Sequence, residues 1–249
     1  MDLAGTYRRQ LAFRDWTTAL DALPALAGAA VLDLGCGVGD VASLLAQRGA
    51  RVVGVDANEE LLAAARARQL ERVEFRTADL RALPDGLAGP VDGIWSSFAV
   101  AYFPDATPVV RTWARHLRPG GWIALVEIDD LFAHEPLAER TRALLGTYAD
   151  EALAASRYDF RMGRRLRAVL ERCGFTVQRE IVLADREFSC DGPAAPAVLD
   201  GWRDRLRGMR LLHAHCGAEY EAVRADLLAC LGDSRHRSHC RVRCCIGVR

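Results

Sequence analysis

Three glycines at alternate positions, Gly35, Gly37 and Gly39, follow Asp33 at the end of the apolar run Val31-Leu32-Asp33-Leu34, and no other stretch speaks as directly of chemistry. Glycine lets a backbone turn tightly and come close to a bound molecule, where a side chain would collide. A helix that starts just after such a loop aims its unpaired N–H groups at the same place. Asp33 would meet a positively charged part of a ligand and would repel a pyrophosphate. Ala42 stands where the dinucleotide version of the loop usually has a further glycine. About twenty residues on, Asp56 closes a second apolar run, the position from which a carboxylate grips a ribose diol in Rossmann-like arrangements.

These residues need a sheet to hold them in register. Continuous apolar runs predict buried parallel strands at 31–34, 51–55, 73–76, 91–97 and 122–128, followed by strands at 175–183 and 240–248. Apolar residues at helical spacing predict helices over 7–26, 40–47, 59–70, 108–117, 137–155 and 162–173, then over 198–212 and 219–231. Asn58 is a candidate cap, Gly49 a candidate left-handed stop, and Arg118-Pro119-Gly120-Gly121 a turn before the fifth strand. Strands alternating with helices imply an α/β domain on a parallel sheet.

With Asp33, the glycine series, Asp56 and the Arg-Pro-Gly-Gly turn in one register, roughly the first half of the chain resembles the class I methyltransferases that use S-adenosylmethionine. The resemblance implies a Rossmann-like, seven-stranded, mostly parallel sheet with helices on both faces and its last two strands antiparallel. It implies cofactor contacts from Tyr7 and Arg14 on an N-terminal helix, from Asp33, Gly35, Cys36, Gly37 and Gly39 on the loop, and from Asp56 and Ala57 beside the ribose. It assigns Asp79 and Leu80 to the adenine, whose exocyclic amine donates to a carboxylate, and Ser96 and Ser97 to the methionine end.

Two insertions depart from the minimal fold, at 131–161 and at 190–237. The expected organisation is a helical lid over 1–28, a methyltransferase domain over 29–189 and 238–249, and a helical cap over 190–237, with 131–161 as a further cap. The reaction implied is in-line transfer of a sulfonium methyl to a small-molecule acceptor in bacterial secondary metabolism, a step governed by positioning. A neutral hydroxyl or protonated amine would also need a base, for which Glu127, Asp129, His134, His213 and His215 are the candidates, with Glu127 and His213 carried forward. Tyr102, Arg161, Trp202 and Arg210 are the candidate acceptor contacts. The same apolar helices would equally suit a homodimer interface.

Composition limits the alternatives. The 33 basic residues, every one an arginine, cancel the 33 acidic ones, which leaves no general field for a nucleic acid or an anionic membrane. The absence of lysine fits a GC-rich bacterial gene. A nucleic-acid or tRNA methyltransferase lacks support: Ser96-Ser97-Phe98-Ala99 stands where many base-amine methyltransferases carry Asn/Asp-Pro-Pro-aromatic. A member using the cofactor for other chemistry, or binding it without turnover, is a further class. No run is long enough to span a bilayer and no leader pattern opens the chain, so a cytoplasmic location with reduced cysteines is expected. The histidines and cysteines between His213 and Cys244 match no zinc spacing, and no metal is expected.

Overall fold

The structure, a computed structural model, describes residue 5 and residues 11–249. Tyr7 lies outside them. Helix α1 (Thr17–Asp21) leads into β1 (Ala30–Leu34), α2 (Asp40–Gln47), β2 (Arg51–Asp56), α3 (Glu59–Arg66), β3 (Val73–Thr77) and β4 (Val91–Ser97). Then follow α4 (Ala106–Ala114), β5 (Leu117–Asp129), β6 (His134–Glu135), α5 (Glu139–Ala154), α6 (Leu166–Arg172) and β7 (Thr176–Leu183). The chain ends with α7 (Pro196–Gly208), α8 (Arg210–Cys216), α9 (Tyr220–Gly232), β8 (Arg237–Ser238) and β9 (Arg241–Val248).

Seven strands form one sheet in the order β3-β2-β1-β4-β5-β9-β7. The first five are parallel, and β9 runs antiparallel to both its neighbours. The order reverses between β1 and β4, where an open α/β sheet binds ligands beyond its strand ends. Side chains alternate between two cores, as the pleat requires. Val31, Trp95, Ala124 and Val126 face one layer, while Leu32, Leu34, Ile94, Ile123 and Leu125 face the other. Each such aliphatic side chain stabilises the fold by about 1.5–3 kcal/mol on full burial.

Local chemistry explains where elements begin and where expectation and structure part. Asn58 caps α3, accepting from the amides of Glu60 at 3.0 Å and Leu61 at 3.2 Å. Among residues 12–26 the expected helix is met across Thr17–Asp21, where the Asp15 carboxylate takes the Thr17 amide and starts the helix. Arg14 is consequently extended and pairs antiparallel with Asp185. The turn expected at 118–121 stays inside β5 as a bulge: Leu117 pairs with Val91 and Trp122 with Gly93. The helix expected over 198–212 breaks at Met209, whose ψ of 67° is not helical and separates α7 from α8.

The two insertions are joined by a ribbon that the sequence did not announce. Strands β6 and β8 pair antiparallel, and α9 packs on α5, α7 and α8. Trp202 and Leu206 of α7 and Leu227 and Leu231 of α9 are buried in the same core as Val126 of the sheet. Residues 190–237 therefore share their packing with the domain beneath.

Candidate functional site

A cleft of about 640 Å³ opens at the carboxyl ends of β1, β2 and β4. Its floor is the glycine loop. Gly35 has φ +79°, and a Cβ there would lie 2.6 Å from Cβ of Ala99, so the loop passes under the turn after β4 only because it lacks a side chain. Gly39 lies outside the cleft lining. With φ +75°, its Cα faces the Phe75 ring, which a Cβ would meet at 2.4 Å; its task is to start α2 and seat that ring.

Asp56 ends β2 with one carboxylate oxygen on the Gly37 amide and the other on the Asn58 amide, both at 2.9 Å. This fixes the carboxylate at the cleft edge. Asp33 is buried below, and its Oδ2 has no hydrogen-bond partner although the residue borders the cleft. Burial, reinforced by the charges of Asp56 and Asp40, pushes its carboxyl up to about 7. A ligand cation would supply both the missing partner and the missing countercharge. Cys36 beside it is buried, and its thiol is raised far above the ordinary range, chiefly by burial.

Ala57, Asp79, Leu80 and Ser97 border the same space. Asp79 is exposed, with one oxygen on the Arg81 amide at 2.9 Å. Ser96 does not border it: its hydroxyl donates to Leu34 O at 2.8 Å and ties β4 to β1 beneath the floor. Phe98 follows with φ +56°, a backbone conformation that costs a non-glycine residue energy and that aims the chain into the cleft.

The remaining walls come from distant segments. Leu11, Arg14 and Trp16 form one side, Tyr102, Phe103 and Tyr158 another, and Gly201, Asp204, Arg205 and Gly208 of α7 a third. Phe188 closes the corner between Arg14 and Arg205, whose guanidinium carbons lie 5.3 and 4.8 Å from its ring centroid.

Several candidates from the sequence sit elsewhere. Glu127 is wholly buried outside the cleft, where its Oε1 accepts the Ala101 amide at 2.9 Å beneath the turn that carries Tyr102. Burial pushes its carboxyl up to about 8. His213 is exposed and packs on Tyr220, ring centroids 4.5 Å apart. Arg161 turns to Asp150 at 2.6 Å and Asp130 at 3.7 Å. Trp202 is a core residue whose indole N–H donates to Glu187 O at 2.9 Å, and Arg210 starts α8 away from the cleft lining. Of the four expected acceptor contacts only Tyr102 borders the cavity. The other bases considered are engaged too: Asp129 with Arg164 and Arg243, His134 with His236, and His215 with Glu151 and Thr147. The sequence did not single out Tyr158, Phe188 or Asp204, while Phe98 opens the stretch read as the start of the substrate side and Arg205 is one of the insertion arginines of which one or two could turn inward. Arg14 is named from the sequence by its place on the N-terminal segment expected over the cofactor, but nothing in the local spacing placed Phe188 opposite it.

Comparison with known proteins places this geometry among relatives. A family profile described as a methyltransferase domain matches residues 31–121. The chain is 46% identical over 99 residues to the trans-aconitate 2-methyltransferase of an Azoarcus strain, covering 39% of this chain but only 38% of that protein. It is 31% identical over 185 residues to the ubiquinone biosynthesis O-methyltransferase of Pseudomonas fluorescens, covering 72% of this chain and 78% of that one. Among solved structures, an S-adenosylmethionine dependent methyltransferase from Mesorhizobium loti superposes with a TM-score of 0.56 at 24% identity, over 93% of this chain and 96% of the other.

Proposed function

Because the chain belongs to the class I S-adenosylmethionine-dependent methyltransferases, we propose that it methylates a small-molecule acceptor held between the aromatic wall and α7. The observation that carries this reading is the continuity of one cleft from the buried Asp33, whose Oδ2 has no hydrogen-bond partner, to the inner face of α7. S-adenosylmethionine supplies a methyl on a positively charged sulfur, which leaves as a neutral thioether when the acceptor displaces it in line.

The chain's part is to position and to exclude water. Asp33 faces the positive amino-acid end, Asp56 accepts from the ribose hydroxyls through the lone pairs that its amide contacts leave over, and Asp79 with Leu80 meets the adenine edge. Ser97 and Arg14 lie toward the methionine end. Of the lining carboxylates, Asp33, Asp40, Asp56 and Asp79 belong to the cofactor half, and Asp204 alone stands on α7. Among the described lining residues, Asp204 is the acid placed to take a proton lost by the acceptor, with water as the other route. On this reading residues 190–237 are a cap and Arg14 with Trp16 is part of a lid, in a cytoplasmic bacterial enzyme. Among the described residues no helix is long and apolar enough to cross a membrane. Calorimetric titration with S-adenosylhomocysteine tests the site: micromolar or tighter binding that is lost in Asp56→Ala is expected, and no binding by the wild type would overturn it.

A further inference from the structure

Behind the acceptor end of the cleft lies a chain of four alternating charges drawn from three separate segments. Arg14 Nε sits 2.6 Å from Asp185 Oδ2, and Arg14 Nη2 sits 3.4 Å from Glu187 Oε2. Arg205 Nη2, from α7, donates to Glu187 Oε1 at 2.7 Å. The side chains of Asp185 and Glu187 are fully buried, that of Arg14 is 3% exposed and that of Arg205 is 24% exposed. Both arginines border the cleft, while both carboxylates stand behind them.

This arrangement alters what two arginines in a binding pocket mean. Guanidinium groups usually mark a site for carboxylate or phosphate, which they grip bidentately. Here Glu187 already lies between the two guanidiniums, and Asp185 stands 2.6 Å from Arg14 Nε as an ion pair without a hydrogen bond. Their faces are covered as well: Arg14 lies over the rings of Phe98 at 4.6 Å and Trp16 at 5.4 Å, and Arg205 over Phe188 at 4.8 Å. Among the described residues, the two positive and two negative charges of this chain cancel. The next acid along α7, Asp204, has its own cation in Arg207 at 2.8 Å. Among the described residues, an anionic acceptor would find the charges of Arg14 and Arg205 already matched and would meet in Arg81, the other lining arginine, a solvent-exposed group 3.8 Å from Asp79. It would also feel the four carboxylates of the cofactor half.

The remaining surface is aromatic. Tyr102 and Tyr158 meet edge to face with centroids 4.9 Å apart, and Phe98, Phe188 and Ile128 continue the wall. Opposite them, Gly201 and Gly208 leave the α7 backbone bare, with no atom within 4 Å of where either Cβ would stand. Flat rings on one side and an uncrowded helix on the other fit a planar molecule.

We infer that the acceptor is an uncharged aromatic molecule, and that Glu187 is the specificity-determining residue that makes the cleft refuse anions by neutralising Arg14 and Arg205. The inference rests on the reading of α7 as the acceptor wall. Glu187 touches neither acceptor nor cofactor; it acts through the two arginines.

Three probes of one shape and different charge test it: 2-naphthol, 2-naphthoate and 2-naphthylmethylammonium, titrated calorimetrically at neutral pH into the protein with and without S-adenosylhomocysteine. Wild-type protein should bind the naphthol at least about tenfold more tightly than the naphthoate. Glu187→Gln, which keeps shape and loses charge, leaves two guanidiniums with one carboxylate and should shrink or reverse that ratio by about tenfold. Arg205→Gln, at a partly exposed position, should widen it, and it keeps the inference testable if the Glu187 variant does not fold. Naphthoate binding as well as naphthol in the wild type, or an unchanged ratio in both variants, would overturn the inference. Tightest binding of the ammonium would overturn it in favour of an amine acceptor. S-adenosylhomocysteine affinity is read separately, so its absence would sink the cofactor assignment while the probe ranking still judged the wall.

Discussion

The two halves of the cleft are built on opposite plans. The half proposed for the cofactor is made by one short loop and three strand ends, with its acids and glycines within residues 33–80 and its loop backbone held by the Asp56 carboxylate. The half proposed for the acceptor is made by side chains from residues 11–16, 98–103, 158, 188 and 201–208, brought together only by tertiary packing. The difference teaches where specificity can change cheaply. Alteration of one wall residue leaves the loop's geometry intact, whereas any change in the loop disturbs a backbone path that few residues can follow.

Breaking the first half should have the largest effect. Asp56→Ala removes a carboxylate that holds the Gly37 and Asn58 amides as well as the proposed ribose contacts. Loss of two charge-assisted hydrogen bonds predicts S-adenosylhomocysteine affinity weakened by roughly 100-fold or more, while the strand keeps its packing. Titration calorimetry alongside a circular dichroism melt separates lost binding from lost fold. An unchanged dissociation constant would remove Asp56 from the ligand site.

Gly39→Ala comes next and acts on stability. The residue must adopt φ +75°, and its new Cβ would lie 2.4 Å from the Phe75 ring. Left-handed backbone and overpacking together predict a cost of about 2–4 kcal/mol, read as a lower Tm. Gly86, at φ +78° with nothing within 4 Å of its Cβ position, is the control, and substitution there should cost only the backbone part.

These two tests mark how far the sequence could be read. The strand order, the antiparallel end and the loop were legible because buried parallel strands are continuous apolar runs, and because glycines and acids at fixed spacing have few alternative uses. Even there residue type overreached: Ser96 and Gly39 match by position, yet one braces β1 and the other seats Phe75. The acceptor half was illegible for a different reason. Trp202 and Arg161 were chosen as large or charged residues in an insertion, but the core took the tryptophan and Asp150 took the arginine. The residues that do line it, Phe188 and Arg205 among them, are set by the contact of Arg14 with the segment after β7, which no local pattern encodes.

Glu127 sharpens the contrast through pH. Its carboxyl is held near 8 when folded against an ordinary 4.5, so the folded chain keeps a proton that the unfolded chain releases. Stability should therefore be greatest below about pH 4.5, as far as this residue is concerned, and should fall as pH rises toward 8. Glu127→Gln retains an acceptor for the Ala101 amide and removes that slope. Urea unfolding should show it more stable than wild type by about 1–3 kcal/mol above pH 8, with little difference under acid conditions. If the two proteins kept equal stability at every pH, the residue would have to be ionised or hydrated in place, and its burial under Tyr102 would need revision.

The smallest effect should come from His213, the histidine that residue type alone favoured as a base. Its ring is exposed and lies against Tyr220 rather than in the cleft, and the Tyr220 hydroxyl donates to Leu206 O at 2.7 Å without it. His213→Ala removes one aromatic contact at the surface, worth about 0.5–1 kcal/mol. It leaves α7 anchored by Trp202 and by the Arg205 to Glu187 pair. S-adenosylhomocysteine affinity and the pH dependence of methyl transfer should both match the wild type, with Tm lower by a few degrees at most. A general base behaves otherwise: its loss flattens the acidic limb of the rate profile and lowers kcat by about 10²-fold or more. That pattern in the variant would mean that α8 swings over the cleft during turnover, and the acceptor half would then be a moving wall.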